Sequence, residues 1–427
     1  MSGMNDHGIS REAFEVALPE GGLFGGGTWN WSPRPFVLPK KIWRELEGLG
    51  HVLATFQRAC DVMYRRSASG KEHAWMAPLL DRGKPDFLLN LQQSGGYAEQ
   101  MPRVIRPDLL LTDEGFSLTE IDSVPGGIGI TTWLMQQYEK AGHSVLGSAA
   151  EMLAGFAAVL PAGGAVAIAD EAQDYAGEMR WLVEQLGEGR ELLRAEEISA
   201  GEKRPLYRFF ELFDWENLPF FPDYAASKPD LQAPLKAHLE EKLWLGLFHS
   251  PGLRATWRTH LRDAQWERLQ KIIPQGWVMQ PMNLPPEACL PGLEIHSWKD
   301  LMDMSQKDRQ LVLKISGFDP NCWGSRGVYI GHDMPQAEWK SLIQQSLDDK
   351  NRAWLLQRFM PTSIIDHEIH TEHGIENRQG RVRLCPYYFT DEVGKTKLCG
   401  CLVTIVPIDK KKIHGMSDGV LTVAAMG

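Results

Sequence analysis

Glu120 and Asp122 stand two residues apart in the stretch FSLTEID, downstream of Arg106 and Asp108 in VIRPDLLL. Alternate side chains of an extended strand share a face, so Phe116, Leu118, Glu120 and Asp122 point the same way. At a strand rise of about 3.3 Å per residue, the two carboxylates lie roughly 6.5–7 Å apart. Like charges in that position raise each other's pKa unless a cation lies between them. Magnesium is the natural cation, because it takes hard oxygen ligands and is often shared between one or two carboxylates and substrate phosphates. The alternative is a strand end whose acids meet solvent or pair with Arg106.

A second group centres on Lys314. A lone lysine inside LVLKIS (311–316) is costly in a buried strand unless an anion compensates it. The loop that follows carries Gly317, Gly324, Gly327 and Gly331 together with Ser316 and Ser325. Such a loop can turn several backbone N–H groups toward one phosphate, which side chains would otherwise obstruct. An edge-strand lysine reaching water, with ordinary turn glycines behind it, is the competing reading.

Further on, AWLLQRFM (353–360) reads as an apolar strand running into Pro361. Were a nucleotide to lie across the site, backbone groups near Gln357, Arg358 and Phe359 would meet the adenine edge. Without the other two groups it is simply an internal strand. The segment 366–373, with three histidines and three acids, imitates a transition-metal site. It lacks a helical His-x-x-x-His pair and reads as a solvated loop.

Together the pieces resemble the permuted ATP-grasp ligases. Eukaryotic glutathione synthetases carry Arg-x-Asp and then Glu-Ile-Asn early in the chain, and glutathionylspermidine synthase-like proteins share the arrangement. Here the matching residues are Arg106-x-Asp108, Thr119-Glu120-Ile121-Asp122 and the following Pro125-Gly126-Gly127. The family's Glu and Asn are magnesium ligands and fall on Glu120 and Asp122; the change to Asp keeps an oxygen ligand and adds a charge. Val312-Leu313-Lys314, the glycine loop (Gly324, Ser325, Gly327) and Leu355-Leu356-Gln357 resemble the ATP-contacting lysine, the flexible phosphate loop and the adenine-side strand. Glu241-Lys242-Leu243 is the best match to a second ATP lysine. The third magnesium carboxylate normally lies just past the loop lysine; that position is Phe318 here, leaving Asp319 as the substitute.

The resemblance covers 100–427 and implies an α+β, permuted ATP-grasp fold with an inserted Rossmann-like α/β substrate-binding unit. It also implies ATP and Mg2+ as cofactors. The implied function is an ATP-dependent carboxylate–amine ligase that forms an amide or peptide bond through an acyl phosphate. Its partners would be small-molecule or peptide carboxylate and amine substrates. Arg106 and Arg383 would hold the acyl phosphate or the incoming carboxylate, since guanidinium matches those oxygens bidentately. Arg326 would add positive charge from a closing loop. A catalytically inactive ATP-grasp-like nucleotide-binding partner protein and an ATP-grasp kinase are the alternatives.

The elements that must position these residues follow from hydrophobic periodicity. Trp43, Leu46, Leu49, Val52 and Leu53 predict a helix from 41 to about 65, and 103–122 predicts two strands around the turn 112–115. GGAVAIAD (163–170) followed by a helix bearing Met179, Leu182, Val183 and Leu186 predicts a strand–helix unit. Residues 236–273 read as helical, GWVMQ as a short strand, and RVRLCPYYF with LCGCLVTIV as an antiparallel pair. The Gly-rich first thirty residues read as a surface arm. Three domains are expected: 1–155 with the Arg-x-Asp and Glu-Ile-Asp motifs, 156–232 as the Rossmann-like unit, and 233–427 as the ATP-binding lobes.

Composition narrows the field. The 427 residues hold 45 Lys+Arg against 55 Asp+Glu, a formal charge of -10, with 43% hydrophobic residues, as in an ordinary globular chain. The acidic balance argues against a nucleic-acid partner. No apolar run reaches the roughly 18–20 residues of a membrane span, and no apolar signal core opens the chain. The six cysteines form neither a zinc spacing nor a disulfide framework, which fits the cytoplasm. A homo-oligomer is compatible with all of this.

Overall fold

The computed structural model describes residues 8–24, 29–227, 231–281, 290–413 and 418–427, with the side chains of 323–325 excluded. The chain divides into two compact units. Unit 1 comprises 1–54, 94–235 and 362–427; unit 2 comprises 55–93 and 236–361.

Unit 1 is built on an eight-stranded sheet. Its strands are β1 (Asn30–Trp31), β2 (Phe36–Leu38), β3 (Val104–Thr112), β4 (Gly115–Asp122), β13 (Ile364–Thr371), β14 (Gly374–Thr390), β15 (Thr396–Pro407) and β16 (Val420–Met426). Their order is β1-β16-β15-β14-β3-β4, with β13 on β14 and β2 on β16. The hairpin expected at 103–122 is present as β3 and β4, and β14 and β15 form the expected antiparallel pair. The helices Ile128–Lys140 and Ala149–Val159 pack against this sheet, burying Trp133, Leu134, Met152 and Phe156.

The same unit holds a four-stranded, all-parallel sheet in the order β6-β5-β7-β8. Here β5 is Ala165–Ile168, β6 Glu191–Arg194, β7 Leu206–Phe209 and β8 Leu231–Gln232. The helix Ala176–Leu186 buries Met179, Leu182 and Val183, the residues whose spacing announced it. Burial on both faces explains why β5 reads as a continuous apolar run without alternation.

Unit 2 contains a four-stranded antiparallel sheet in the order β11-β10-β12-β9. These strands are β9 (Gly276–Met279), β10 (Leu311–Ile315), β11 (Val328–Ile330) and β12 (Trp354–Arg358). The helix Gln336–Asp348 packs Trp339, Leu342 and Ile343 into the same core as Leu311, Leu313 and Leu356.

Four sequence expectations change. The N-terminal stretch is no free arm: the helix Arg11–Ala17 buries Phe14, which stacks on Trp31 at 4.8 Å between ring centroids. Residues 236–273 are not continuously helical but break into Leu243–Leu247, Arg254–His260 and Asp263–Ile272. Pro251 begins a 3-10 turn between the first two, as its fixed φ favours. The polar segment 366–373 lies largely in β13, because the first half of β14 offers it a complete ladder. Finally, 233–427 is not one body, since β14 pairs with β3 and so places 362–427 in unit 1. Among the described residues no helix is long and apolar enough to cross a membrane.

Candidate functional site

In unit 1 the β3–β4 ladder sets Arg106 opposite Asp122 and Asp108 opposite Glu120. Arg106 Nη2 lies 3.1 Å from Asp108 Oδ1 and 3.1 Å from Asp122 Oδ2. Its Nη1 donates to the Gly126 carbonyl at 3.1 Å. Arg383, from β14, donates to Asp108 Oδ2 at 2.8 Å. The structure therefore brings the expected Arg106, Asp122 and Arg383 into one chain of charges, with Asp108 bridging the two arginines.

The electrostatics follow from this geometry. Burial raises the Asp108 pKa, but Arg106 and Arg383 outweigh it and the carboxyl titrates below its ordinary range. Asp122 goes the other way: burial, the Glu120 charge and Asp108 lift it despite Arg106. Arg106 stays cationic, because its acidic neighbours overcome the desolvation of its guanidinium.

Asp122 thus pairs with Arg106, the arrangement that competed with metal binding in the sequence. Both features hold in one residue: Asp122 has an ion pair, and its raised pKa is the crowding a cation would relieve. Two hard carboxylates on one strand face suit Mg2+, which takes few protein ligands and completes its shell with water and phosphate oxygens. Among the described residues no group of three or more His, Cys, Asp or Glu is gathered as a metal site. Asp319 belongs to unit 2, where it accepts from the Asn321 backbone at 2.8 Å and lies 3.9 Å from Arg352.

The Pro-Gly-Gly turn after Asp122 is held by residues that sequence reasoning missed. Glu178 is fully buried and accepts from Gly127 N at 2.6 Å and Ile130 N at 2.8 Å, satisfying donors at the start of the helix Ile128–Lys140. Burial lifts its carboxyl to about 7, against those backbone bonds. Tyr387 donates to the Gly126 carbonyl at 2.7 Å. Glycine is required at two points: a Cβ on Gly126 would come 2.3 Å from the Tyr175 ring, and Gly127 has φ +89°. A signal for Glu178 existed, since it shares a helical face with Leu182.

In unit 2, Lys314 is buried in β10, paired with Val328 and Leu355. Lys242 N donates to the Ser316 carbonyl at 3.1 Å, and Leu243 N to Ser316 Oγ at 2.7 Å. The two expected lysines, both buried, therefore come from segments bonded to each other. Beside them the buried Glu241 pairs with Lys84, another partner that sequence reasoning missed. The carboxylate lies where a Cβ on Gly317 would be, 2.8 Å away, so the glycine admits the ion pair.

The loop after Lys314 is internally bonded. Gly327 N donates to Asn321 O at 2.6 Å, Ile315 N to Gly327 O at 3.0 Å, and the exposed Arg326 to Pro320 O at 3.2 Å. Gly324 and Ser325 end a 3-10 turn, Pro320–Ser325, and their side-chain positions lie outside the described residues.

On the adenine-side strand the backbone N–H groups are engaged within the protein. Arg358 N donates to Gln275 O and Phe359 N to Gln310 O, both at 2.9 Å, so of the backbone groups expected to meet a base these two N–H groups are already bonded. The Phe359 ring meets His332 edge-on at 4.7 Å. Gln357 Nε2, by contrast, is buried without a hydrogen-bond partner.

No protein-family model matches the sequence, and no curated protein matches it significantly. Among solved structures, the fold is similar to a glutathione synthetase-like effector from Globodera pallida in its apo form. That likeness has a TM-score of 0.56 at 12% identity and covers 93% of this chain and 90% of the other. A second match is a putative gamma-glutamylcysteine synthetase from Methylobacillus flagellatus KT. Its TM-score is 0.39 at 10% identity, over 84% of this chain and 83% of the other. The first establishes a mixed α/β, glutathione synthetase-like fold; the second is too loose to add to it.

Proposed function

We propose that the protein is an ATP-dependent carboxylate–amine ligase of ATP-grasp type, with the parallel sheet of β5–β8 as an inserted Rossmann-like substrate-binding element. The observation that carries the reading is the Arg106–Asp108–Arg383 arrangement beside Asp122 and Glu120. Fixed guanidinium groups next to carboxylates of split pKa suit a reaction that must bind an anion and neutralise a phosphoryl group.

A substrate carboxylate oxygen attacks the γ-phosphorus of ATP, the bond to the bridging oxygen breaks, and ADP leaves. An amine nitrogen then attacks the acyl carbon, inorganic phosphate departs, and the nitrogen loses a proton as the amide forms. Such transfers ask for positioning and charge neutralisation rather than a protein nucleophile. Lys314 and Lys242 supply fixed cations for the phosphates, and Arg106 and Arg383 hold the acid. Glu120 and Asp122 would hold Mg2+, which when bound neutralises phosphate charge.

The test is ADP release from MgATP across paired acids and amines, with the product identified by mass spectrometry. Release requiring both substrates, with an amide product, supports the ligase. Release with the acid alone and a phosphorylated product makes it a kinase. ATP binding without turnover for any pair makes it a nucleotide-binding partner protein.

A further inference from the structure

The turn between Asp122 and the helix Ile128–Lys140 is anchored at three points. At its start Asp122 Oδ1 accepts from Val124 N at 2.8 Å. At its centre the Gly126 carbonyl accepts from Arg106 Nη1 at 3.1 Å and from the Tyr387 hydroxyl at 2.7 Å. At its end Glu178 takes Gly127 N on Oε1 at 2.6 Å and Ile130 N on Oε2 at 2.8 Å. A Cβ on Gly129 would strike the Glu178 backbone carbonyl, so that glycine lets the two helices close on this contact.

The Gly126 carbonyl and the Gly127 N–H are the two ends of one planar peptide unit and cannot turn independently. Glu178 grips one end of that plane and Arg106 the other. The Glu178 grip is the one that can change state. An ionised carboxylate offers an acceptor oxygen to each N–H, whereas protonation turns one oxygen into a donor and weakens one of the two bonds.

We propose that Glu178 is a positioning residue for Arg106: as a carboxylate it fixes the Gly126–Gly127 peptide plane, and through that plane the guanidinium that receives the anionic substrate. Protonation loosens both. Receipt of substrate by Arg106 rests on the ligase reading; the coupling of Glu178 to Arg106 does not. The titratable groups facing Glu178 are Arg106 from β3, Tyr387 from β14 and Tyr175 from the turn before its own helix. The first turn of the helix Ile128–Lys140 brings no charge. Burial keeps both tyrosines neutral, which leaves Arg106 as the charge that answers Glu178.

Arg383 supplies an internal control. Its side chain is 16% exposed against 15% for Arg106, and it bonds Asp108 rather than the turn. Phenylglyoxal labelling of the full chain, read by peptide mass spectrometry as the ratio of Arg106 to Arg383 modification, cancels the reagent's own pH dependence. In wild type the ratio should rise about twofold to tenfold from pH 8 to pH 6, as for loss of one hydrogen bond. In Glu178→Gln, whose amide sets a donor against one of the N–H groups, it should be high and flat. A wild-type ratio that does not change, or that changes equally in the variant, would overturn the proposal. Should the variant not fold, hydrogen exchange of the Gly127 and Ile130 amides in wild type decides. Protection lost with the same midpoint as the labelling change supports the coupling, and a different midpoint overturns it. The expected labelling in a protein that releases no ADP for any acid and amine pair would sink the ligase reading and leave the coupling standing. Where a pair does turn over, Glu178→Gln at pH 8 should raise the KM for the acid by a similar factor and leave that for ATP unchanged. An unchanged KM for the acid would overturn the link from Glu178 to substrate.

Discussion

Glu178 Oε1 accepts a 2.6 Å hydrogen bond from Gly127 N, which ties a buried acid of one helix to the first turn of another. The turn it holds carries the Gly126 carbonyl, and that carbonyl accepts from both Arg106 and Tyr387. Glu178 therefore reaches the Arg106–Asp122 pair without touching it. An acid usually favours a helix N-terminus as an anion, yet burial here pushes the carboxyl up to about 7.

That shift has a defined sign. An acid whose folded pKa exceeds its unfolded value holds a proton in the folded state that the unfolded chain has lost. Glu178 thus lowers stability progressively as pH rises from its ordinary 4.5 to about 7, and no further above that. The full effect is about 3 kcal/mol. Between pH 5 and 8 the wild type should lose stability relative to Glu178→Gln as pH rises, because the variant lacks this slope. Parallel curves would show that Glu178 does not titrate there.

Glu120→Gln should leave the melting temperature close to that of wild type, since Glu120 is only partly buried at the end of β4. Turnover should nearly vanish, and the magnesium needed for half-maximal residual rate should rise. Wild-type turnover at limiting magnesium would remove Glu120 from the metal site.

Lys314→Met keeps the length of the side chain and suits an apolar strand. ATP affinity should fall roughly tenfold to hundredfold, with turnover falling alongside, as for loss of a charge-assisted phosphate contact. The fold should survive. A drop of about 3–5 kcal/mol in stability with ATP affinity intact would instead mean that Lys314 neutralises a buried carboxylate.

Lys84→Met tests the opposite kind of lysine. It strands Glu241, whose side chain is 2% exposed, so stability should fall by about 3–5 kcal/mol in chemical denaturation. Adding Glu241→Gln should recover much of the loss. If the double variant is no more stable than Lys84→Met alone, the pair is not what holds that region.

How legible each residue was depended on whether its partner was local. The β3–β4 hairpin follows from two-residue alternation around one turn, so Arg106, Asp108, Glu120 and Asp122 could be set together from spacing alone. Lys314 declared itself as a charge in an apolar strand. Lys84 could not, because its partner Glu241 lies 157 residues away and RGKPD looks like any loop. The bonds from the N–H groups of Arg358 and Phe359 to Gln275 and Gln310 were not legible, because those acceptors belong to separate segments that strand propensity does not reveal.

The central strand of the largest sheet, β14, pairs with β3, β13 and β15. Val104 finds its partner at Phe389, so β3 cannot close its ladder until nearly the whole polypeptide exists. During synthesis β3 and β4 would wait as an isolated hairpin, which is marginal in water, with an unpaired apolar edge open to self-association. Contacts so distant in sequence also make folding slow. A chain truncated before β14 should therefore be recovered chiefly as aggregate, and the full chain should depend on chaperones while its last strands are being made.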